Sequence, residues 1–219
     1  MSKMLWDQIT EKRWEAGVEQ VALFPIAAGA YGAGVPWNGV TAFNVTPSGG
    51  EVTSLFANNK KYGSVEAAVE VGGTIEAYTY PDEWMSCLGY KEANGVFVDQ
   101  QVRQHFGLVG KTLIGNDSEG KKHGYKLHIL YDGLATPGED SNSTINESVE
   151  AKTFSWEYTT TPVDVGLEGY DATSHLTIDS TKTDAAKLKE LEDIIYGTDD
   201  VEPRLPLPAE VINLLNAAG

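Results

Sequence analysis

The run from Phe106 to Ile114 (FGLVGKTLI), the polar stretch from Gly115 to Gly120 (GNDSEG) and the run from Tyr125 to Tyr131 (YKLHILY) decide how this chain is to be read. The two flanks are rich in residues that fit a pleated surface. The middle is dense in Gly, Asn, Asp and Ser, which tolerate turn geometry, so the whole predicts a β-hairpin. In the returning flank Tyr125, Leu127, Ile129 and Tyr131 share one face, while Lys126 and His128 point the other way. That alternation is the pattern of a half-buried strand.

Working outward, the same logic predicts strands over Val18 to Phe24 and Val40 to Val45, separated by a glycine-rich run containing Gly29, Gly32, Gly34 and Gly39. Glu51 to Phe56 and Val69 to Tyr80 bracket the polar turn Asn58-Asn59-Lys60-Lys61, and Pro81-Asp82 ends that run. Phe154, Trp156 and Tyr158 alternate with Ser155, Glu157 and Thr159, so one strand face presents three aromatic rings. Each ring can bury ~150 to 250 Å², roughly 4 to 6 kcal/mol as an upper bound, which marks this strand as a core anchor. His175 to Asp179 predicts a further short strand. Beyond it Leu188, Leu191 and Ile195 recur at helical spacing between a cap at Thr183, helped by Asp184, and a stop at Gly197. Pro206 and Pro208 introduce a terminal helix from Ala209 to Leu215. The fold class is mainly β, with one flanking helix and a short C-terminal helix.

The chain has 219 residues, with 32 acidic and 16 basic side chains, for a net charge of −16. That length suits one large β domain or two small ones, with roughly 70% of the accessible surface buried on folding. A single cysteine, Cys87, excludes a disulfide scaffold, and no Cys/His spacing matches a structural zinc module. The N-terminal run Met1 to Asp7 meets charge early and lacks the apolar stretch of a signal peptide, and no segment approaches the ~20 apolar residues of a membrane helix. An intracellular, soluble product is the expectation. The glycosylation-like triplets at Asn44, Asn116, Asn142 and Asn146 then read as polar turn composition. The charge opposes phosphate-backbone binding, which gains affinity from Lys and Arg. Residues 132 to 202 carry 17 acidic and 4 basic side chains and hold most of the excess. Within them, Asp132 to Glu150 has five carboxylates, no basic residue and several Gly, Pro and Ser, and so predicts a long loop rather than a strand.

The motifs of chemistry are missing. There is no phosphate-binding G-x-x-x-x-G-K-[ST], no G-x-S-x-G elbow and no H-E-x-x-H helix. Gly29, Gly32 and Gly34 are in the wrong order for a dinucleotide fingerprint. His123 and His128 are five apart and fall on opposite faces if extended. Asn116 to Gly120 echoes a calcium loop but has Leu127 where a bidentate glutamate belongs. Cys87, beside Trp84 and Met85, reads as a small buried filler. No catalytic, cofactor or metal residue is assigned.

Several stretches together resemble a family. Leu5-Trp6-Asp7-Gln8, Gly32 to Thr41 (GAGVPWNGVT), Thr74 to Glu83 (TIEAYTYPDE), Ile114 to Asp117, His123 to Lys126, Phe154 to Glu157, Leu176 to Ser180 and Arg204 to Pro208 are similar to segments of the major tail proteins of long-tailed bacteriophages. The likeness runs from about residue 5 to 215. It implies one tail-tube domain over 1–219, with an N-terminal arm at about 1–16, the acidic loop at about 132–150 and a C-terminal segment at about 198–219. It implies a virion protein that forms six-membered rings, stacks them into a tube through strands shared in a continuous barrel, and conducts viral DNA without binding it specifically. Tape measure, tail tip and terminator proteins are the implied partners, and assembly in the bacterial cytoplasm the implied route. An acidic lumen would then repel phosphates within the ~8 Å over which charge acts at physiological salt.

Two other classes fit the composition. An acidic β-sandwich adhesion or carbohydrate-binding module would expose two or more of Trp6, Trp14, Trp37, Trp84 and Trp156 on one surface. A hydrolase would gather two carboxylates of divergent acidity in a concave site.

Overall fold

The computed structural model describes residues 3–9, 11–144 and 151–217. Thirteen strands and three helices alternate as β1 (Arg13–Ala27), β2 (Ala30–Tyr31), β3 (Val35–Pro36), β4 (Val40–Gly49), β5 (Val52–Ala57), β6 (Lys60–Glu66), β7 (Val69–Ala77), α1 (Asp82–Cys87), β8 (Lys91–Ala93), β9 (Val96–Val98), β10 (Phe106–Asn116), β11 (Gly120–Thr136), β12 (Phe154–Thr160), β13 (His175–Asp179), α2 (Ala185–Tyr196) and α3 (Pro208–Asn216) among the described residues. The fold is mainly β with a flanking helix and a short C-terminal helix.

The expected hairpin is the centre of the molecule. β10 and β11 pair antiparallel with Val109 opposite Ile129 and Leu113 opposite Tyr125. Around them runs a nine-stranded sheet in the order β2-β1-β10-β11-β12-β7-β4, with β13 also on β11 and β3 on β1. β11 is 17 residues long, long enough to pair β13 through Lys126–Leu130 and β12 through Gly133–Thr136. The sheet curls, because Phe43 of β4 meets the His128 ring of β11 edge-on at 5.4 Å.

Two cores result. Inside the curl, Leu23, Ile75, Phe106, Leu108, Leu130, Trp156 and Tyr158 enclose Trp84 and Cys87 of α1. On the opposite face Val109, Leu127, Ile129 and Tyr131 are covered by Leu188, Leu191 and Ile195 of α2 and Val211 of α3. The face expected to be buried, with Tyr125, Leu127, Ile129 and Tyr131, is the one the helices cover; on the other face Lys126 and His128 stay half-buried and Leu130 packs inside the curl. α2 is also held by charge. Lys111, almost fully buried, places its Nζ 2.7 Å from Glu192 Oε1 and 4.4 Å from the centre of the Tyr125 ring. The Tyr125 hydroxyl donates to the same Glu192 oxygen at 2.6 Å.

Several boundaries differ from expectation for physical reasons. β11 continues through the segment expected to be loop from Asp132, and the loop begins only after Thr136. Asp132 takes φ 45° at a register shift, and Gly133 then offers a bare Cα on which the Phe106 ring lies; a Cβ there would come within 2.8 Å of the ring. The glycine that read as a turn signal is a seat for an aromatic ring. Residues 145–150 of the expected loop lie outside the described residues. Residues 13–16 of the expected arm belong to β1, paired with 113–116 of β10. Lys60 and Lys61 are strand rather than turn residues, because Asn58 and Asn59, at φ 50° and 59°, reverse the chain in two residues. Of the run expected at 69–80, Val69–Ala77 forms β7, which pairs with β4 and β12. After Pro81 the chain enters α1, a helix with Asp82 and Glu83 in its first turn. The cap of α2 is Asp184, which accepts from the backbone N–H of Ala186 and Lys187 at 3.0 Å; Thr183 instead donates its hydroxyl to the Asp179 carbonyl at 2.9 Å.

Candidate assembly interface

β4 and β5 form one side, and β6 and β7 the other, of a single long hairpin from Val40 to Ala77. Its proximal half, β4 with β7, lies in the sheet. The ladder crosses a bend at Gly49 and Gly50, both at positive φ, through Gly50 N–H to the Ala68 carbonyl and Ala67 N–H to the Glu51 carbonyl. Beyond the bend β5 and β6 pair only with each other. Val52, Leu55, Phe56, Tyr62 and Val65 are all exposed there, Phe56 at 72% and Tyr62 at 79%. A two-stranded hairpin in water is marginal alone, and apolar side chains on both strands do nothing for an isolated chain.

Two further apolar surfaces are bare. Residues before β1 expose Met4, Leu5, Trp6 and Ile9, and the small β8–β9 hairpin exposes Val96, Phe97 and Val98. Beside β8–β9 a cavity of about 530 Å³ is lined by Asp82, Glu83, Glu92, Met85, Tyr90 and Phe97, with no basic side chain in its wall. A second cavity, of about 580 Å³, lies between β1, the start of β4 and the end of α2; it is mostly apolar, with Glu19 as its one carboxylate.

The tryptophans divide sharply. Trp37, Trp84 and Trp156 are buried against one another, with ring centres 4.6 to 5.8 Å apart, and Trp37 donates its indole N–H to the Thr79 carbonyl at 2.8 Å. These three present no face to a sugar. Trp6 is 73% exposed; Trp14, 44% exposed, has its ring laid against Gly115. Cys87 sits within the tryptophan group, where burial pushes its thiol up to about 12, against a hydrogen bond with Ser86.

The histidines are also placed. His123 bonds Glu119 Oε2 at 2.7 Å and Asn116 at 3.2 Å, in a turn where Asn116 Oδ1 accepts from the Ser118 and Glu119 amides. His128 lies between Thr112 Oγ1 at 3.0 Å and His175 Nε2 at 3.2 Å. The last two rings are parallel within 3° with centres 5.3 Å apart. With ring nitrogens only 3.2 Å apart, that separation means edge-to-edge, in-plane hydrogen bonding. Burial, then the His175 and Lys126 charges, lower the His128 pKa to about 4, while Glu15 opposes the shift. Sequence reading missed this pair because pairing of β11 with β13, not spacing, creates it. Among the described residues no three His, Cys, Asp or Glu side chains gather as a metal group, and no helix is long and apolar enough to cross a membrane.

Comparison of the sequence with models of known protein families and with curated proteins finds no match.

Proposed function

We propose that this chain is a structural virion protein of the major tail protein type, whose copies form rings that stack into a tube for the passage of viral DNA. The observation that carries the reading is the pairing of a well-packed acidic β body with apolar elements that an isolated chain leaves bare, above all the β5–β6 hairpin. Large exposed apolar surface on a charged monomer marks an interface. The resemblance from about residue 5 to 215 supplies the kind of assembly. The open edges of the sheet would be closed by strands of neighbouring copies, which removes the template for uncontrolled association. The net charge of −16 keeps DNA from lodging along the channel, because carboxylates offer phosphates no favourable contacts. Tail tip, tape measure and terminator proteins are the expected further partners, and the virion tail, assembled in the host cytoplasm, the expected location. The burial of three tryptophans leaves an adhesion module with only Trp6 and Trp14 as stacking faces.

The test is electron microscopy of the concentrated protein, with light scattering for its mass. Rings or tubes of uniform width are expected. A monomer that persists at high concentration and fails to polymerise on seeds or tail-tip complexes would overturn the proposal.

A further inference from the structure

The sequence holds two Asn-Gly pairs, Asn38-Gly39 and Asn94-Gly95, and the fold treats them differently. In such a pair the glycine amide nitrogen can attack the asparagine carboxamide, because the glycine has no side chain to shield it. The attack needs a backbone free to turn, room around the glycine and a group that takes the amide proton. Asn38-Gly39 has neither of the first two. The buried Trp37 ring before it donates its indole N–H to the Thr79 carbonyl at 2.8 Å, and the Gly39 carbonyl accepts from the Tyr78 N–H at 2.9 Å. A Cβ on Gly39 would also come within 2.9 Å of Thr79 Cγ2.

Asn94-Gly95 meets all three needs. The pair forms the two-residue turn between β8 and β9, with Ala93 opposite Val96 and φ values of 52° and 80°. β8 and β9 pair only with each other, residues 91–100 are exposed throughout, and a Cβ on Gly95 would meet nothing within 4 Å. The Gly95 N–H donates to Glu92 Oε1 at 2.6 Å. A carboxylate at that distance is placed to accept this proton as a general base.

We propose that Asn94 is a self-modification site, at which the Glu92 carboxylate assists deamidation. The Gly95 nitrogen bonds to Asn94 Cγ as its proton passes to Glu92; Glu92 returns the proton to the departing side-chain nitrogen, and ammonia leaves. Water then opens the succinimide at either carbonyl, giving aspartate or isoaspartate, and nothing is oxidised or reduced. Either product adds a negative charge to the hairpin whose Glu92 and Phe97 line the acidic cavity. Isoaspartate also routes the backbone through the former side chain, which lengthens a turn that two residues had closed. The hairpin then loosens in a one-way step that dates each copy of the chain. The inference does not depend on the tube reading.

Ageing the full chain in warm neutral buffer, followed by peptide mapping with mass spectrometry, tests the site. A parallel sample unfolded in guanidinium chloride supplies the rate of an unassisted Asn-Gly pair. Asn94 should convert about tenfold faster in the folded chain than in the unfolded one, and Asn38 more slowly folded than unfolded. Glu92→Gln keeps the side-chain shape and an oxygen for the Gly95 N–H, yet should slow conversion at Asn94 by about tenfold and leave Asn38 unchanged. An Asn94 that converts more slowly folded than unfolded would overturn the proposal, since the turn would then protect the residue. A Glu92→Gln chain that ages at the parent's rate would equally overturn it, by reducing the Glu92 contact to a turn bond.

Discussion

The β10–β11 hairpin and the β5–β6 hairpin are built from the same kinds of residue and live in opposite environments. In the first, Leu108, Val109, Leu127 and Ile129 are buried, covered by α2 on one face and by the curled sheet on the other. In the second, Val52, Leu55, Phe56 and Val65 face solvent. The β-forming character of both runs is local, whereas burial is decided by what the rest of the chain brings to each face. A β-rich apolar segment thus contributes to a core in one place and offers a contact in another.

The sharpest way to break that comparison is to truncate on both sides of it. Trp84→Ala empties the centre of the inner core and should cost about 3 to 5 kcal/mol in urea unfolding of the monomer. A cost below about 1 kcal/mol would mean that α1 does not plug the curled sheet. Next in size is Lys111→Met, which leaves Glu192 without its cation and should cost about 2 to 3 kcal/mol. The double change K111M/E192L should recover much of that loss, and a double-mutant cycle reads the difference. If the double is as damaged as the single, packing and not charge holds α2 in place.

Smaller still is the effect of pH at His128. Its folded pKa lies near 4, below the ordinary 6.5, so the unfolded chain binds the proton more readily. Stability contributed by the neutral ring is therefore complete above about pH 6.5, is lost as pH falls, and levels off near pH 4. The facing groups are His175 and Thr177 of β13, Thr112 of β10, Phe43 of β4, and the Lys126–Glu15 ion pair. With allowance for solvent screening at a half-buried group, the loss between pH 7 and 5 should be about 1 to 2 kcal/mol. Thermal unfolding of the wild type and of His128→Gln measures it, and equal pH slopes in the two would refute the assignment. The smallest effect belongs to the projecting hairpin. Phe56→Ser should change monomer stability by less than about 0.5 kcal/mol while weakening assembly. A large loss in the monomer would show that β5–β6 supports the body after all.

What could be read in advance follows the same division. The central hairpin, the Phe154-Trp156-Tyr158 face and the Leu188-Leu191-Ile195 stripe each carry their own period, so local pattern sufficed. Asp132 and Gly133 did not, because their turn-like identities serve a bulge and a ring contact set by Phe106 some 26 residues away in sequence. The meeting of Trp37, Trp84 and Trp156, and that of His128 with His175, likewise depends on long-range pairing. The candidate interface was the least legible part. Carboxylate density drew attention to 132–150, whereas the longest exposed apolar hairpin described is 52–66, whose composition alone resembles a core strand.

The register of β1 carries a kinetic consequence. Arg13 lies opposite Asn116 and Pro25 opposite Phe106, and on the far side of the sheet Phe154 lies opposite Ala77. β10 with β11 and β5 with β6 can close quickly as local hairpins, but the sheet cannot curl until segments 77 to 103 residues apart have met. Folding of this chain is therefore expected on the slow, millisecond-to-second side, with unpaired apolar strands waiting in the meantime. During that wait the excess of carboxylates acts between chains, keeping unfinished copies apart.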